Sequence, residues 1–258
     1  MKVLRKYQQD GKQALRNSIK NGNKRIIYYL PTGGGKSIAA VDLIKSLLDR
    51  GKKVAFIANR IGLVWQFSKH LDDAGIQHGI IQGDNTFGTS LDCVVCSIAT
   101  VARRGMPGVD FAIIDEAHAT ANSNEYKKLI FSFNNIFWVG LTATPFSKGL
   151  SRKYMELGNE PLFQDLVIGA TIRQLINEGS LVDCEIYAPN DPDLTGVRLK
   201  LNGFGEKDYN ELDLGKAVDK AELIGDIVKH WKLLANGKKT VVLLPTLHTL
   251  NISLTNSA

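Results

Sequence analysis

Six short apolar runs constrain what this chain can fold into: residues 26–30, 54–58, 79–81, 93–98, 111–114 and 136–141. Each is continuous rather than alternating, and most are rich in β-branched or aromatic residues, the pattern of strands buried on both faces of a sheet. Helical patterns separate them at 37–48, 63–71 and 125–131. Strand and helix in repeated alternation predict an α/β domain over residues 1–145, a mostly parallel sheet with helices on both faces. A looser helical face (Leu4, Tyr7, Ala14, Leu15, Ile19) precedes the first strand and stops at Asn21-Gly22-Asn23.

After Pro145 the pattern changes. Residues 146–180 read as mixed and helical; residues 183–226 carry 11 acidic against 5 basic residues and turn dipeptides such as Asn190-Asp191-Pro192. A helix over 216–235, apolar along Ala217, Ile224, Ile227, Val228, Trp231 and Leu234, leads to one more buried strand at 240–245. The expected division is therefore an α/β domain (1–145), a helical and acidic connector (146–239), and a lone strand with its tail (240–258).

Composition narrows the class. With 44% hydrophobic and 22% charged residues the chain is globular rather than disordered. No apolar stretch nears the roughly 18–20 residues of a membrane span, and the N-terminus lacks signal-peptide character. Three Cys in 258 residues fit a reducing compartment, so the expected location is cytoplasmic, away from membranes. The net +6 is uneven: residues 1–60 hold 14 Lys/Arg against three Asp (+11), and residues 61–258 hold 18 basic and 23 acidic residues (−5). Such a basic end is either a solvated face or an attractor of polyanions.

The first run leads into Leu30-Pro31-Thr32-Gly33-Gly34-Gly35-Lys36-Ser37 and then a helical segment. That order is the signature of a phosphate-binding loop, in which backbone N–H groups and a helix N-terminus face anionic oxygens. After Thr32, the glycines at 33, 34 and 35 let the backbone approach the phosphates; Lys36 supplies a point charge, and the Ser37 hydroxyl suits Mg²⁺. ATP and Mg²⁺ are the expected ligands. The general pattern has glycine where this chain has Leu30.

A second signal is independent of the first. The run 111–114 ends in Asp115-Glu116-Ala117-His118, two adjacent carboxylates at the carboxyl end of a buried strand, where open parallel sheets bind ligands. Successive strand side chains point opposite ways, so the two acids can take different tasks. Asp115 suits the metal, directly or through water, and Glu116 suits the base that activates an attacking water. Lys36, Asp115 and Glu116 are thus the expected catalytic residues.

With these residues the chain resembles the N-terminal half of superfamily 2 helicases and translocases, DEAH-box-like, in the branch of type III restriction subunits and phage recombination helicases. The resemblance covers nearly all of residues 3–245 and implies a RecA-like P-loop fold and a nucleic-acid-dependent ATPase, with DNA rather than RNA as partner. Leu4-Arg5-Lys6-Tyr7-Gln8 is similar to the family's Q motif, which implies that Gln8 reads the adenine edge, with Arg5 in the same nucleotide site. Leu141-Thr142-Ala143-Thr144-Pro145 is similar to motif III, which implies that Thr142 and Thr144, together with His118, couple hydrolysis to nucleic-acid binding. Asn59-Arg60 resembles motif Ia and Ser97-Ile98-Ala99-Thr100 the next strand-contacting motif; both imply contacts to a nucleic-acid backbone without base reading. As bare sequence, Arg60 is equally a helix-start charge, and Ser97 and Thr100 strand-end hydroxyls.

The resemblance also implies a second RecA-like domain, in another chain or in the full-length gene, for which 240–245 would be the incomplete first strand, and arginines from that domain that stabilise phosphoryl transfer. No arginine follows Arg198, so hydrolysis is expected to be weak unless that domain is supplied. A non-hydrolysing ATP-binding module that occupies nucleic acid or a partner helicase is the alternative. Cys93 and Cys96 have metal-ligand spacing but fall in a buried strand on opposite faces with no second ligand pair, and read as structural; so do His70 and His78.

Overall fold

The computed structural model describes residues 3–145, 162–187, 193–201, 207–218 and 229–241. Two compact units divide the chain, Met1–Asp183 and Cys184–Ala258. The first contains α1 (Lys6–Lys20), β1 (Arg25–Tyr29), α2 (Lys36–Leu48), β2 (Val54–Ala58), α3 (Ile61–Asp73), β3 (Gly79–Ile81) and β4 (Cys93–Ser97). It continues through α4 (Ile98–Arg104), β5 (Phe111–Ile114), a 3₁₀ turn (Ala117–Asn122), α5 (Asn124–Ser132), β6 (Phe137–Thr142), β7 (Asp165–Ile168) and α6 (Ile172–Asn177).

The seven strands form one sheet in the order β3-β4-β2-β5-β6-β1-β7, and every neighbouring pair is parallel. This is the α/β architecture expected from the continuous apolar runs. Every residue of β2 and β4 is buried, because helices cover both faces. Strand alternation sends Cys93 and Val95 into the layer packed by α1, α2 and α3, and Val94 and Cys96 into the layer packed by α4 and α5. Burial pushes both thiols up to about 12, so at neutral pH they are protonated packing groups, as their spacing within a strand implies.

Register brings the carboxyl ends of the strands to one rim. Tyr29 pairs with Thr142 and Ile168, Ile57 with Ile114, and Ile114 with Gly140. The glycine loop, Asn59, Asp115 and Thr142 therefore all emerge on the side where parallel sheets bind ligands.

Two elements differ from the expected pattern. Asp165–Ile168, read in sequence as part of a connector, forms the seventh strand; it is short and lies at the sheet edge, with Val167 buried and Ile168 exposed, so its apolar signal is faint. The helix α4 begins directly after β4 without a turn residue, its start set by the Ser97 hydroxyl accepting from the Thr100 N–H at 3.4 Å.

The second unit contains an antiparallel pair, β8 (Leu199–Leu201) and β9 (Lys207–Tyr209), followed by α7 (Glu211–Val218). Glu211 and Asp213 in the first turn of α7 complement its positive end, and Asp213 accepts both Arg198 Nε and Nη2 at 2.6 and 3.1 Å. Of the helix expected over 216–235, α7 and residues 229–234 are helical, and 219–228 lie outside the described residues. Thr240 and Val241 belong to no strand; the rest of the run at 240–245, and the tail to Ala258, lie outside the described residues. No helix among the described residues is long and apolar enough to cross a membrane.

Packing around β6 makes a stability prediction. A Cβ at Gly140 would stand 2.7 Å from Ala117 Cβ, 2.9 Å from Ile27 Cδ1 and 3.0 Å from Phe163 Cζ, with no exposed side to yield. Gly140→Ala is therefore expected to destabilise the fold by about 1–3 kcal/mol in chemical denaturation, the usual cost of overpacking a filled core.

Candidate nucleotide site

The glycine loop begins where β1 ends. Leu30 continues the strand, donating its N–H to Thr142 O at 3.1 Å, and its side chain is fully buried in the core. Leu30 at the position of the pattern's first glycine is thus compatible with the loop, whose exposed part starts later. Gly33 and Gly35 adopt φ of 80° and 77°, left-handed values that favour glycine. Gly35 is the N-cap of α2, and no side chain caps that helix. Its first N–H groups and partial positive charge therefore face outward beneath the loop, a ready cradle for an anion. Lys36 stands half-buried at the first helical position, and Ser37 beside it is exposed. Among the described residues neither side chain is engaged in a hydrogen bond or ion pair.

The loop is held from α1. Tyr7 Oη donates to Gly34 O at 3.0 Å, and Gln8 Nε2 donates to Gly34 O and Gly35 O at 3.2 and 3.3 Å. Gln8 Oε1 accepts the Arg5 N–H at 2.9 Å, so both ends of this buried amide are committed within the chain. Arg5 Nη1 in turn donates to Ser180 Oγ. Leu175 Cδ1 and Leu181 Cδ2 lie 3.3 and 2.7 Å from where a Cβ would stand on Gly34 and Gly33. Tyr7, Leu175, Ser180 and Leu181 are contacts that the sequence reading misses; only Tyr7 had a signal, its place in the Leu4–Gln8 stretch.

The acidic pair stands at the end of β5. Asp115 is anchored by its N–H to Ile57 O at 2.9 Å, and its Oδ1 accepts the Glu116 N–H at 3.0 Å. Burial first, and then the neighbouring Glu116 charge, raise its pKa above the ordinary value, against the opposing pull of that N–H, Lys36 and His118. Glu116 has φ of 48°, the one left-handed non-glycine among the described residues. His118 Nδ1 lies 3.3 Å from Glu116 Oε2 and 3.2 Å from Thr142 Oγ1. The Thr142 contact is a hydrogen bond whose direction follows the imidazole tautomer, and the Glu116 contact is an ion pair when the ring is protonated. Thr142, fully buried, also accepts the Thr144 N–H at 3.0 Å. The structure thus joins Glu116, His118, Thr142 and Thr144 across the ends of β5 and β6.

The donor set fits a hard cation. Ser37 and Asp115 offer a hydroxyl and a carboxylate, and Mg²⁺ is typically held by one or two protein oxygens with phosphates and water completing its shell. The described residues form no cluster of three or more His, Cys, Asp or Glu of the kind that cages a metal without such help.

Two of the residues expected at a nucleic acid are exposed and two are not. Asn59 and Arg60 are exposed between β2 and α3. Ser97 and Thr100 are buried: Ser97 caps α4, and Thr100 Oγ1 lies 3.3 Å from Ser97 Oγ and accepts the Gly83 N–H at 2.8 Å.

Residues 1–147 match the family described as type III restriction enzyme, res subunit, more than half of the 258 residues. The chain belongs to this family. A 51.5 kDa protein of a Lactococcus phage (isolate 7-9) is 24% identical over 82% of this chain and 42% of its own. A Saccharomyces cerevisiae protein named "Putative ATP-dependent helicase IRC3" is 33% identical over 51% of this chain and 21% of its own. The chain therefore spans less than half the length of these curated relatives. A nuclease-deletion mutant of the type ISP restriction-modification enzyme LlaGI, in complex with a DNA substrate mimic, shares the fold at TM-score 0.52 and 20% identity, over 69% of this chain and 21% of that one. The res-subunit family membership and this fold identify the chain as carrying the N-terminal RecA-like half of a superfamily 2 helicase, within a family of helicase-like ATPases.

Proposed function

We propose that this res-subunit family chain is the ATP-binding, nucleic-acid-dependent ATPase core of a helicase or translocase acting on DNA. One observation carries the reading: a carboxylate, Glu116, tied through His118 Nδ1 to Thr142, shares the sheet rim with an uncapped helix N-terminus under a glycine loop. The first arrangement suits activation of water, the second suits phosphate. Gly33, Gly34, Gly35 and Thr32 frame the phosphates, and Lys36 places its charge at their outer end. Glu116 accepts the proton of the attacking water, and His118, 3.3 Å from Glu116 Oε2, holds that carboxylate in place. Bound by Ser37 and Asp115, Mg²⁺ would neutralise charge on the phosphate oxygens. Arg5 serves the nucleobase end, and Gln8, its amide committed to the Arg5 N–H and the loop carbonyls, serves it by holding the two together.

Movement of Glu116 is felt at Thr142 and Thr144 through His118, which makes these residues the coupling path to nucleic acid. Asn59 and Arg60 contact the strand backbone, and Thr100, with Ser97 beside it, serves it through the Gly83 N–H that Thr100 holds. DNA is favoured because LlaGI, which shares the fold, was solved with a DNA substrate mimic. The reading requires a second RecA-like domain to face this one and supply an arginine, worth about 10³–10⁵ in rate.

ATP turnover measured with and without DNA, alone and with a candidate second domain, tests this. DNA is expected to raise the rate, and log K for DNA to fall against log salt by about 0.7–0.9 per phosphate contacted. A flat salt response would remove Arg60 and the basic segment from the interface. Binding of ATP without turnover under every condition would make the chain a non-hydrolysing module instead.

A further inference from the structure

The segment that follows α6 lies beyond residue 147, where the family match ends, yet it touches the phosphate loop and the arginine next to it. Its shape is rigidly set. Thr171 caps α6 by accepting the Gln174 N–H at 3.1 Å, and Gly179 turns the chain at φ of 68°. The N–H groups of Ser180 and Leu181 then both return to Leu175 O, at 2.8 and 3.0 Å, while Leu175 itself is fully buried. Orphan carbonyls at the helix end are satisfied and the turn is pinned. It delivers two groups: the Ser180 hydroxyl, which accepts from Arg5 Nη1, and the Leu181 side chain, which lies over Gly33.

Arg5 is thereby fixed twice. Its main chain is tied to the loop through Gln8, and its guanidinium is tied to Ser180. The phosphate chemistry of the site lies at Lys36 and the α2 N-terminus. Arg5 and Leu181 bring something different, a planar cation and an apolar side chain, the kinds of surface against which a flat aromatic base packs. We propose that Ser180 is a positioning residue of the nucleotide site: it orients Arg5 to stack on the nucleobase, and Leu181 forms the apolar wall beside it. The inference rests on the nucleotide reading above and adds to it a specific base-side wall from outside the matched region.

Calorimetric titration with ADP and with inorganic tripolyphosphate separates base from phosphate binding. Ser180→Ala is expected to weaken ADP about five- to tenfold, the net worth of one solvent-exposed hydrogen bond, and to leave tripolyphosphate unchanged. Ser180→Thr, which keeps the hydroxyl, is expected to retain wild-type ADP affinity. Unchanged ADP affinity in Ser180→Ala, or an equal loss for both ligands, overturns the proposal. Wild-type protein that binds neither probe overturns the nucleotide reading itself, and this inference with it.

Discussion

Glu116→Gln is expected to lower ATP turnover by about 10²–10⁴-fold while nucleotide affinity stays within about twofold of wild type. The substitution keeps the shape of the side chain and removes its ability to accept a proton. Its backbone should not object: the left-handed φ of 48° is no harder for Gln than for Glu. That conformation costs of order 1 kcal/mol or more and persists because the chain is anchored on both sides, by Asp115 N–H to Ile57 O and by Ala119 N–H to Glu116 O, each at 2.9 Å. Strain held in this way aims the carboxylate instead of letting it relax along the strand direction. Unfolding free energy should therefore move by less than about 0.5 kcal/mol, which separates loss of chemistry from loss of fold. Phosphate release in a single turnover is the measurement. Equal rates in the two proteins would show that Glu116 is not the base.

The same residues show how far the sequence is legible. The loop and the acidic pair are legible because their chemistry demands particular residue types in consecutive positions at strand ends. The sheet is legible because β2 and β5 are apolar at every position and β4 at every position but its last, Ser97, and only burial on two faces explains that. The seventh strand is not, since one sheet edge and four residues leave almost no pattern. Ser97 marks a second limit: a hydroxyl at a strand end looks the same in sequence whether it faces a ligand or caps the next helix, and here it caps by accepting the Thr100 N–H. The clearest gap is Ser180. Its bond to Arg5 joins residues 175 positions apart, and no local spacing or periodicity records a contact made by folding alone.

Lys36→Ala is expected to cost about 10²-fold or more in affinity for ATP, and with it measurable turnover at ordinary substrate concentrations. The charge-assisted hydrogen bonds that Lys36 would make to phosphate are worth about 1.5–3 kcal/mol each, and 2.8 kcal/mol corresponds to a hundredfold in Kd. Its setting in the protein alone points the other way. A cation in the first turn of a helix opposes the macrodipole by about 0.3–1 kcal/mol, and alanine is the better helix former. Lys36 has no partner in a hydrogen bond or ion pair among the described residues, so what the fold loses with it is its longer-range attraction to the Asp115 carboxylate. The ligand-free variant should therefore stay within about 1 kcal/mol of wild type, the gain at the helix end set against the lost attraction to Asp115. Lys36→Arg should not rescue binding, because a planar guanidinium cannot take the place of a compact ammonium inside a tight glycine loop. The variant has one further consequence at Asp115. Lys36 is among the charges that pull the Asp115 pKa down against burial, so its removal should raise that carboxyl further and weaken the oxygen donor proposed for Mg²⁺. Isothermal titration with ATP, paired with denaturant unfolding of the free protein, checks both arms. Affinity retained in Lys36→Ala would exclude the loop as the phosphate site, and a large drop in stability would make Lys36 a structural residue.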